Sequence, residues 1–355
     1  MTPTESHRIL VINPGSTSTK MAVYEEEDLL FSHVLRHDVA ALKKFGGIWD
    51  QYEFRLHQVR EWTHASVPKV SAVVAMGGLF RPIPGGTYHV NSRMLDDARA
   101  NLQGEHASNL GCAMADALAR EFGCEAYVVD PVSVDELEPL ARYSGHPLIQ
   151  RSSLSHALNI HAAARKAVDE LKIPLSSSSL LIVHMGGGIS VAPVRGGRII
   201  DINDANSDGP FSPERTGGLP LQQFITLCFS GTYTERDIRK LVSGNGGLLA
   251  YLGTNSALEV EERIRKGDDA AREVFEAMAY QISKEIGAMA CVLKGNVHAV
   301  VLTGGLASSS MLTDWIAERV RFIARVLLYP GEDEMRTLAA ETRAVLHGMI
   351  TPLEY

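Results

Sequence analysis

Asn13, Ser16, Thr17, Ser18 and Lys20 place an amide, three hydroxyls and an ammonium around a single glycine, Gly15. Backbone N–H groups beside that glycine, the hydroxyls and the lysine charge could together surround an anion, and phosphate is the anion such a set suits. An apolar run, residues 9–12, enters the Asn13-Pro14-Gly15 turn signal and a second, residues 21–24, leaves it. The segment therefore reads as a hairpin with a polar tip. It lacks the second glycine that precedes the lysine of a P-loop, and strand rather than helix follows. An ordinary Ser/Thr-rich hairpin would look the same in isolation, so the reading leans on the rest of the chain.

Two further glycine elements support it. Residues 180–184 form an apolar run ending in His184, then Met185-Gly186-Gly187-Gly188, then a second strand-like run to Pro193. This echoes the first hairpin, and an internal duplication of a strand-turn-strand phosphate clip, with Gly187 and Gly188 at its tip and His184 beside it, is the economical explanation. Later, the apolar stretch 297–303 ends in Gly304-Gly305 and opens into a helix over 309–320. Glycines at a strand-to-helix turn let a flat ligand, here a nucleoside, approach the backbone closely.

The elements that must carry these turns fit an α/β protein of two domains. At 355 residues the chain exceeds the size at which one core stops growing, so a cleft between two domains is expected. Strand patterns also occur at 29–35, 73–76 and 126–129, and helical patterns at 101–122, 153–171 and 270–293. The last of these helices is apolar on more than one side, which predicts a homodimer or higher homo-oligomer, or else burial within one subunit. Composition is that of an ordinary globular enzyme, 45% hydrophobic and 21% charged. A formal charge of -8 argues against nucleic acid or an anionic membrane as partner. Cys112, Cys124, Cys228 and Cys291 lack metal-ligand spacing and read as reduced, structural thiols, three of them in apolar helical settings. No leader signal precedes the first strand and no apolar run is long enough to span a bilayer, so the expected location is cytoplasmic.

Three glycine elements in this order resemble the acetate and sugar kinase, Hsp70 and actin superfamily, and the finer detail resembles the butyrate kinase branch of the acetokinase family. The motifs that carry the resemblance begin with Val11 to Lys20, Gly77-Gly78-Leu79-Phe80-Arg81 through Tyr88, and Val129-Asp130-Pro131 through Glu136. They continue with His156-Ala157-Leu158-Asn159, His184 through Ser190, Gly209 through Gly217, Thr303-Gly304-Gly305 and Tyr329 through Glu334. Together they span nearly the whole chain.

The resemblance implies a two-domain ribonuclease-H-like α/β fold. Residues 1–152 with 331–355 would form the carboxylate kinase domain, and 153–330 the nucleotide-binding domain. It implies reversible, ATP-dependent phosphorylation of butyrate to butyryl phosphate, with Mg2+ as cofactor. Alternatives are an acetate or branched-chain carboxylate kinase, or a degenerate ATP-binding homologue. A carboxylate substrate is already ionised near neutral pH and needs no base, so the task is to stabilise charge on the moving phosphoryl group. Arginine suits that task, and Arg215 matches a transition-state arginine of the family. His156 matches its phosphate-contacting histidine, and Asn13, Asp130 and Glu334 match its magnesium-positioning residues. Asp130 is accordingly placed with the catalytic groups. Ser16, Ser18, Lys20, His184, Gly187 and Gly188 would line the phosphate path, Gly304 and Gly305 the adenosine. Phe80, Arg81 and Ile83 would wall the acyl pocket. Glu334 also suits a plain acidic helix start. One departure stands out: Met76 occupies the position before Gly77-Gly78 where butyrate kinases carry an arginine. Loss of one transition-state donor costs roughly two to three orders of magnitude in rate, and Arg81 is the candidate to compensate.

Overall fold

Apolar runs without polar alternation cannot present a wet face, so they belong inside a sheet covered on both sides. In the computed structural model, which describes residues 6–67 and 69–355, such runs become the inner strands of two sheets. The first five residues, where no leader signal is read, lie outside the described residues. Among the described residues no helix is long and apolar enough to cross a membrane.

The first sheet comprises β1 (Arg8–Pro14), β2 (Ser18–Glu25), β3 (Asp28–Arg36), β4 (Ala72–Met76), β5 (Thr87–His89) and β6 (Glu125–Val129), in the order β3-β2-β1-β4-β6-β5. β1 and β2 are antiparallel with Asn13 opposite Lys20, whereas β1, β4 and β6 run parallel. The second sheet comprises β7 (Ser179–Met185), β8 (Ile189–Arg195), β9 (Arg198–Ile199), β10 (Ala299–Gly304) and β11 (Val326–Pro330), in the order β11-β10-β7-β8-β9. There β7 and β8 are antiparallel while β7, β10 and β11 are parallel. Reading β3-β2-β1-β4-β6 against β9-β8-β7-β10-β11 gives the same order with the same polarities. The two polar hairpins, β1–β2 and β7–β8, occupy the same place in each sheet, and the duplication read from sequence is visible in the backbone.

The chain divides into two compact units. Unit 1 runs to Asp135 and resumes over Asp333–Tyr355; unit 2 is Glu136–Glu332. The first boundary thus precedes the one placed at 152, and the reason is tertiary. Glu136 accepts from the Ile199 N–H, and the Glu138 N–H donates to Ile200, so residues 136–152 are tied to unit 2. In unit 1 the helices Gly111–Phe122 and Glu334–Leu346 pack on β4 and β6. In unit 2 the helix Ala157–Leu171 packs on β7 and β10, and the helix Asp269–Val292 packs on β8 and on the helix Ser310–Val320.

Several local expectations shift. The helix expected over 101–122 begins only at Gly111, because Asn101 takes a left-handed φ of 50° and closes the preceding helix Ser92–Arg99. The helix expected from 153 begins at Ala157, with His156 as its N-cap. The apolar face of Asp269–Val292, including Phe275, Met278, Ile282 and Ile286, is spent inside the core of unit 2, so it gives no reason for a second subunit. All four cysteines are free thiols, but only Cys112 is fully buried and Cys291 is exposed.

Candidate active site

In unit 1 the parallel strands deliver their carboxyl ends to one edge of the sheet. Asn13 lies at the end of β1, Met76 closes β4 in register with Val129, and Asp130 follows β6 directly. The Asn13 amide donates to Glu334 Oε2 at 2.6 Å, which brings the start of the last helix to the same edge. Asp130 is buried with a left-handed φ of 38°, a conformation that non-glycine residues adopt only when the surroundings impose it. Its backbone N–H donates to Gly86 O and its Oδ1 accepts from the Gly86 N–H. Above them the hairpin tip exposes Ser16, Thr17 and Lys20. The donors gathered here, two carboxylates and an amide, are hard oxygens of the kind Mg2+ takes, and it takes few of them because it keeps several waters.

The three residues expected to wall an acyl pocket lie differently. Phe80 is completely buried and Ile83 nearly so, in a core cluster with Tyr88, Met94 and Val128. The Arg81 guanidinium donates to Asp97 at 2.5 Å and lies over the Tyr355 ring, whose hydroxyl donates to the same carboxylate at 2.8 Å. That pairing raises the pKa of Arg81 and commits its charge to Asp97, so it does not replace a cation missing at Met76.

In unit 2 the β7–β8 hairpin sets His184 opposite Ser190. His156 Nδ1 lies 3.0 Å from Ser190 Oγ, and its ring stacks on His184 with centroids 4.1 Å apart. His184 Nε2 lies 3.4 Å from Glu332 Oε1. Gly188 makes room for Arg215: a Cβ there would stand 2.3 Å from Nη1. The Arg215 Nη1 donates to Ala205 O at 3.3 Å, and Ser212 Oγ donates to Gly187 O at 2.5 Å. Arg215 Nε, His184 Nδ1 and the hydroxyls of Ser153 and Ser155 are buried without a hydrogen-bond partner. Buried polar atoms are almost always satisfied, so each of these four has capacity for a partner that the protein does not supply. At the end of β10, Gly304 adopts a φ of 89° and its backbone pairs with Gly331 in both directions. A Cβ on Gly304 would stand 2.4 Å from Met185 O, so this crossing of β10 with the hairpin requires glycine. Gly305 opens the next turn with no atom near its Cβ position.

Burial, then the nearby His184 and the Arg215 charge, hold His156 well below the ordinary histidine range. The imidazole is therefore neutral near pH 7 and adds no second cation beside Arg215. Below about pH 6.5 the unfolded chain takes up a proton at this position that the folded chain refuses, so stability rises with pH through that window and is lost as pH falls. The urea midpoint of the wild type should therefore drop between about pH 7.5 and about pH 5.5 more steeply than that of His156→Gln. Equal slopes would remove His156 as the cause.

Sequence reasoning did not single out Arg55, Asn203 or the serine pair before His156. Asn203 is buried and bridges Val191 N–H and Ile189 O, which braces β8 behind the tip, and no local pattern marks it.

Two antiparallel hairpins hold the same place in duplicated sheets, and an arginine and two histidines stand beside the second. The acetokinase family pattern matches residues 149–324. A "Probable butyrate kinase 2" of Caldanaerobacter subterraneus subsp. tengcongensis is 50% identical over 98% of this chain and 99% of its own. "Butyrate kinase 2" of Clostridium acetobutylicum is 47% identical over 98% of this chain and 99% of its own. The acetate kinase of Porphyromonas gingivalis shares the fold, with a TM-score of 0.81 at 16% identity over 96% of this chain and all of that one. The chain belongs to the acetokinase family.

Proposed function

We propose that this enzyme moves the γ-phosphoryl group of ATP reversibly onto butyrate, giving butyryl phosphate and ADP. The observation that carries the reading is the set of orphaned donors on and beside Arg215, His184 and His156, in a chain nearly half identical to butyrate kinases. The butyrate carboxylate, ionised at neutral pH, attacks phosphorus without a base. Arg215 stabilises charge on the phosphoryl oxygens, a neutral His156 offers a hydrogen bond there, and the hairpin tip of unit 1 holds phosphate oxygens. Asn13, Asp130 and Glu334 would hold Mg2+, largely through water, and bound Mg2+ supplies charge neutralisation of the phosphates. Gly304 and Gly305 would lie against the nucleoside.

Hydroxylamine trapping of acyl phosphate with acetate, propionate, butyrate, isobutyrate and valerate tests the reading. A maximum at butyrate or isobutyrate is expected. A maximum at acetate would move the enzyme to the acetate kinase branch. ATP binding without product from any acid would favour the second reading, a degenerate homologue, which Met76 motivates. A homo-oligomer in the cytoplasm completes the proposal: the helix Leu221–Cys228 buries none of its residues, and Leu221 and Phe229 beside it are 72% and 86% exposed. A monomeric mass in solution would refute that part.

A further inference from the structure

Arg55 lies in the helix Tyr52–Ser66 and is completely buried. A buried guanidinium ordinarily requires a carboxylate, because an unpaired charge is strongly disfavoured away from water. Among the described residues no carboxylate bonds to it; its partners are neutral oxygens. Nη1 donates to Gly15 O at 2.7 Å and, at the limit of bonding, to Ser18 O at 3.5 Å. Nη2 donates to Ser16 O at 2.8 Å, and Nε and Nη2 share Gln51 Oε1 at 3.0 and 2.9 Å. The other carbonyls of the tip meet backbone donors: Thr17 O accepts from the His37 N–H at 2.9 Å and Ser18 O from the Gly15 N–H at 2.7 Å. Every carbonyl from Gly15 to Ser18 is thus turned onto an internal donor. In a planar trans peptide the N–H points opposite to the C=O, so holding the Gly15, Ser16 and Thr17 oxygens inward aims the N–H groups of Ser16, Thr17 and Ser18 outward.

We propose that Arg55 is a positioning residue for the hairpin tip: a buried cation without a counter-ion that fixes the Gly15 and Ser16 carbonyls inward, aims the Ser16 and Thr17 N–H groups at the phosphates of ATP alongside that of Ser18, and adds a positive charge beneath the tip. This rests on reading the tip as a phosphate site. Burial and the Arg55 charge hold neighbouring His37 below its ordinary range, so His37 adds no competing charge at neutral pH. Two bonds to adjacent carbonyls need a planar fork, which arginine has and lysine lacks.

Calorimetric titration of the full chain with ATP, for the wild type and for Arg55→Ala, Arg55→Lys and Gln51→Leu, tests the proposal without requiring turnover. ATP affinity should fall at least about tenfold in Arg55→Ala, recover only partly in Arg55→Lys, and return when ethylguanidinium is added to Arg55→Ala. Gln51→Leu, which frees one side of the fork from outside the core, should weaken ATP severalfold. Unchanged affinity in a folded Arg55→Ala, or in Gln51→Leu should Arg55→Ala fail to fold, would overturn the proposal. A wild type that binds ATP yet makes no acyl phosphate would sink the kinase reading and leave this one standing; a wild type that binds no ATP would sink both.

Discussion

Arg215→Ala should lower turnover by about 10²–10³-fold while leaving the affinity for ATP within a few-fold of wild type. The asymmetry follows from what the guanidinium does. Its Nη1 rests on Ala205 O, and its Nε is buried without a partner, so the side chain is held in place with unused hydrogen-bonding capacity. A donor preset for oxygens that gain charge only during transfer lowers the barrier more than it tightens the ground state. Its pKa is pushed down by burial, yet an arginine so shifted remains charged at any working pH. Lysine should rescue poorly, since a single ammonium cannot keep the Ala205 contact and reach the phosphoryl group together. The fold should survive: removing a half-buried charge that lacks a bonded carboxylate relieves a desolvation cost as it removes contacts. Rates of hydroxamate formation alongside calorimetric Kd values check the split. A variant that loses ATP affinity and keeps kcat would reassign Arg215 to ground-state binding.

Gly188→Ala should be nearly as damaging, by way of the same arginine. The added methyl would stand 2.3 Å from Nη1 and 2.9 Å from Cζ of Arg215, and 3.1 Å from the Ala205 Cβ, so the guanidinium must leave its seat. Misplacing a catalytic group by about an ångström can cost about a hundredfold in rate. The two substitutions act on one group and should therefore fail to add: in an Arg215→Ala background, Gly188→Ala should cost little more. A double-mutant cycle on kcat reads this directly. Full additivity would mean that the glycine serves the turn itself, not the arginine.

Local chemistry made the two hairpins and the strand before Gly304 legible, because an apolar run, a glycine turn and another run lie within a few residues of one another. What could not be read was whatever depends on distant partners. Phe80 follows a diglycine and looks like a pocket wall, but its ring packs against Tyr355, which comes from the other end of the chain. Arg81 offers a spare cation in sequence and meets Asp97 in space. Arg55 sits between Phe54 and Leu56 in a helix whose pattern gives no hint that its guanidinium runs beneath Gly15. The boundary at 152 failed similarly: Gly145 and Pro147 punctuate the sequence, yet hydrogen bonds from Ile199 and to Ile200 pull the preceding residues across. The place of His156 at a helix start is legible in its sequence, whereas the contact with Ser190 that orients its ring is not.

Unit 2 is a single uninterrupted stretch, while unit 1 is closed by residues after Asp333. During synthesis, therefore, the half of the protein begun first is the half finished last. All of unit 2 has been made before Glu334 exists to meet Asn13, its partner 321 positions earlier. The ribosome thus releases the second sheet with all its strands and helices while the first still waits for the helix that packs on β1, β4 and β6. Domains usually mature from the amino terminus onward. Here the topology lets unit 2 complete its chain before unit 1 does, and the β1–β2 hairpin meets the helix Glu334–Leu346 only after all of unit 2 has been made.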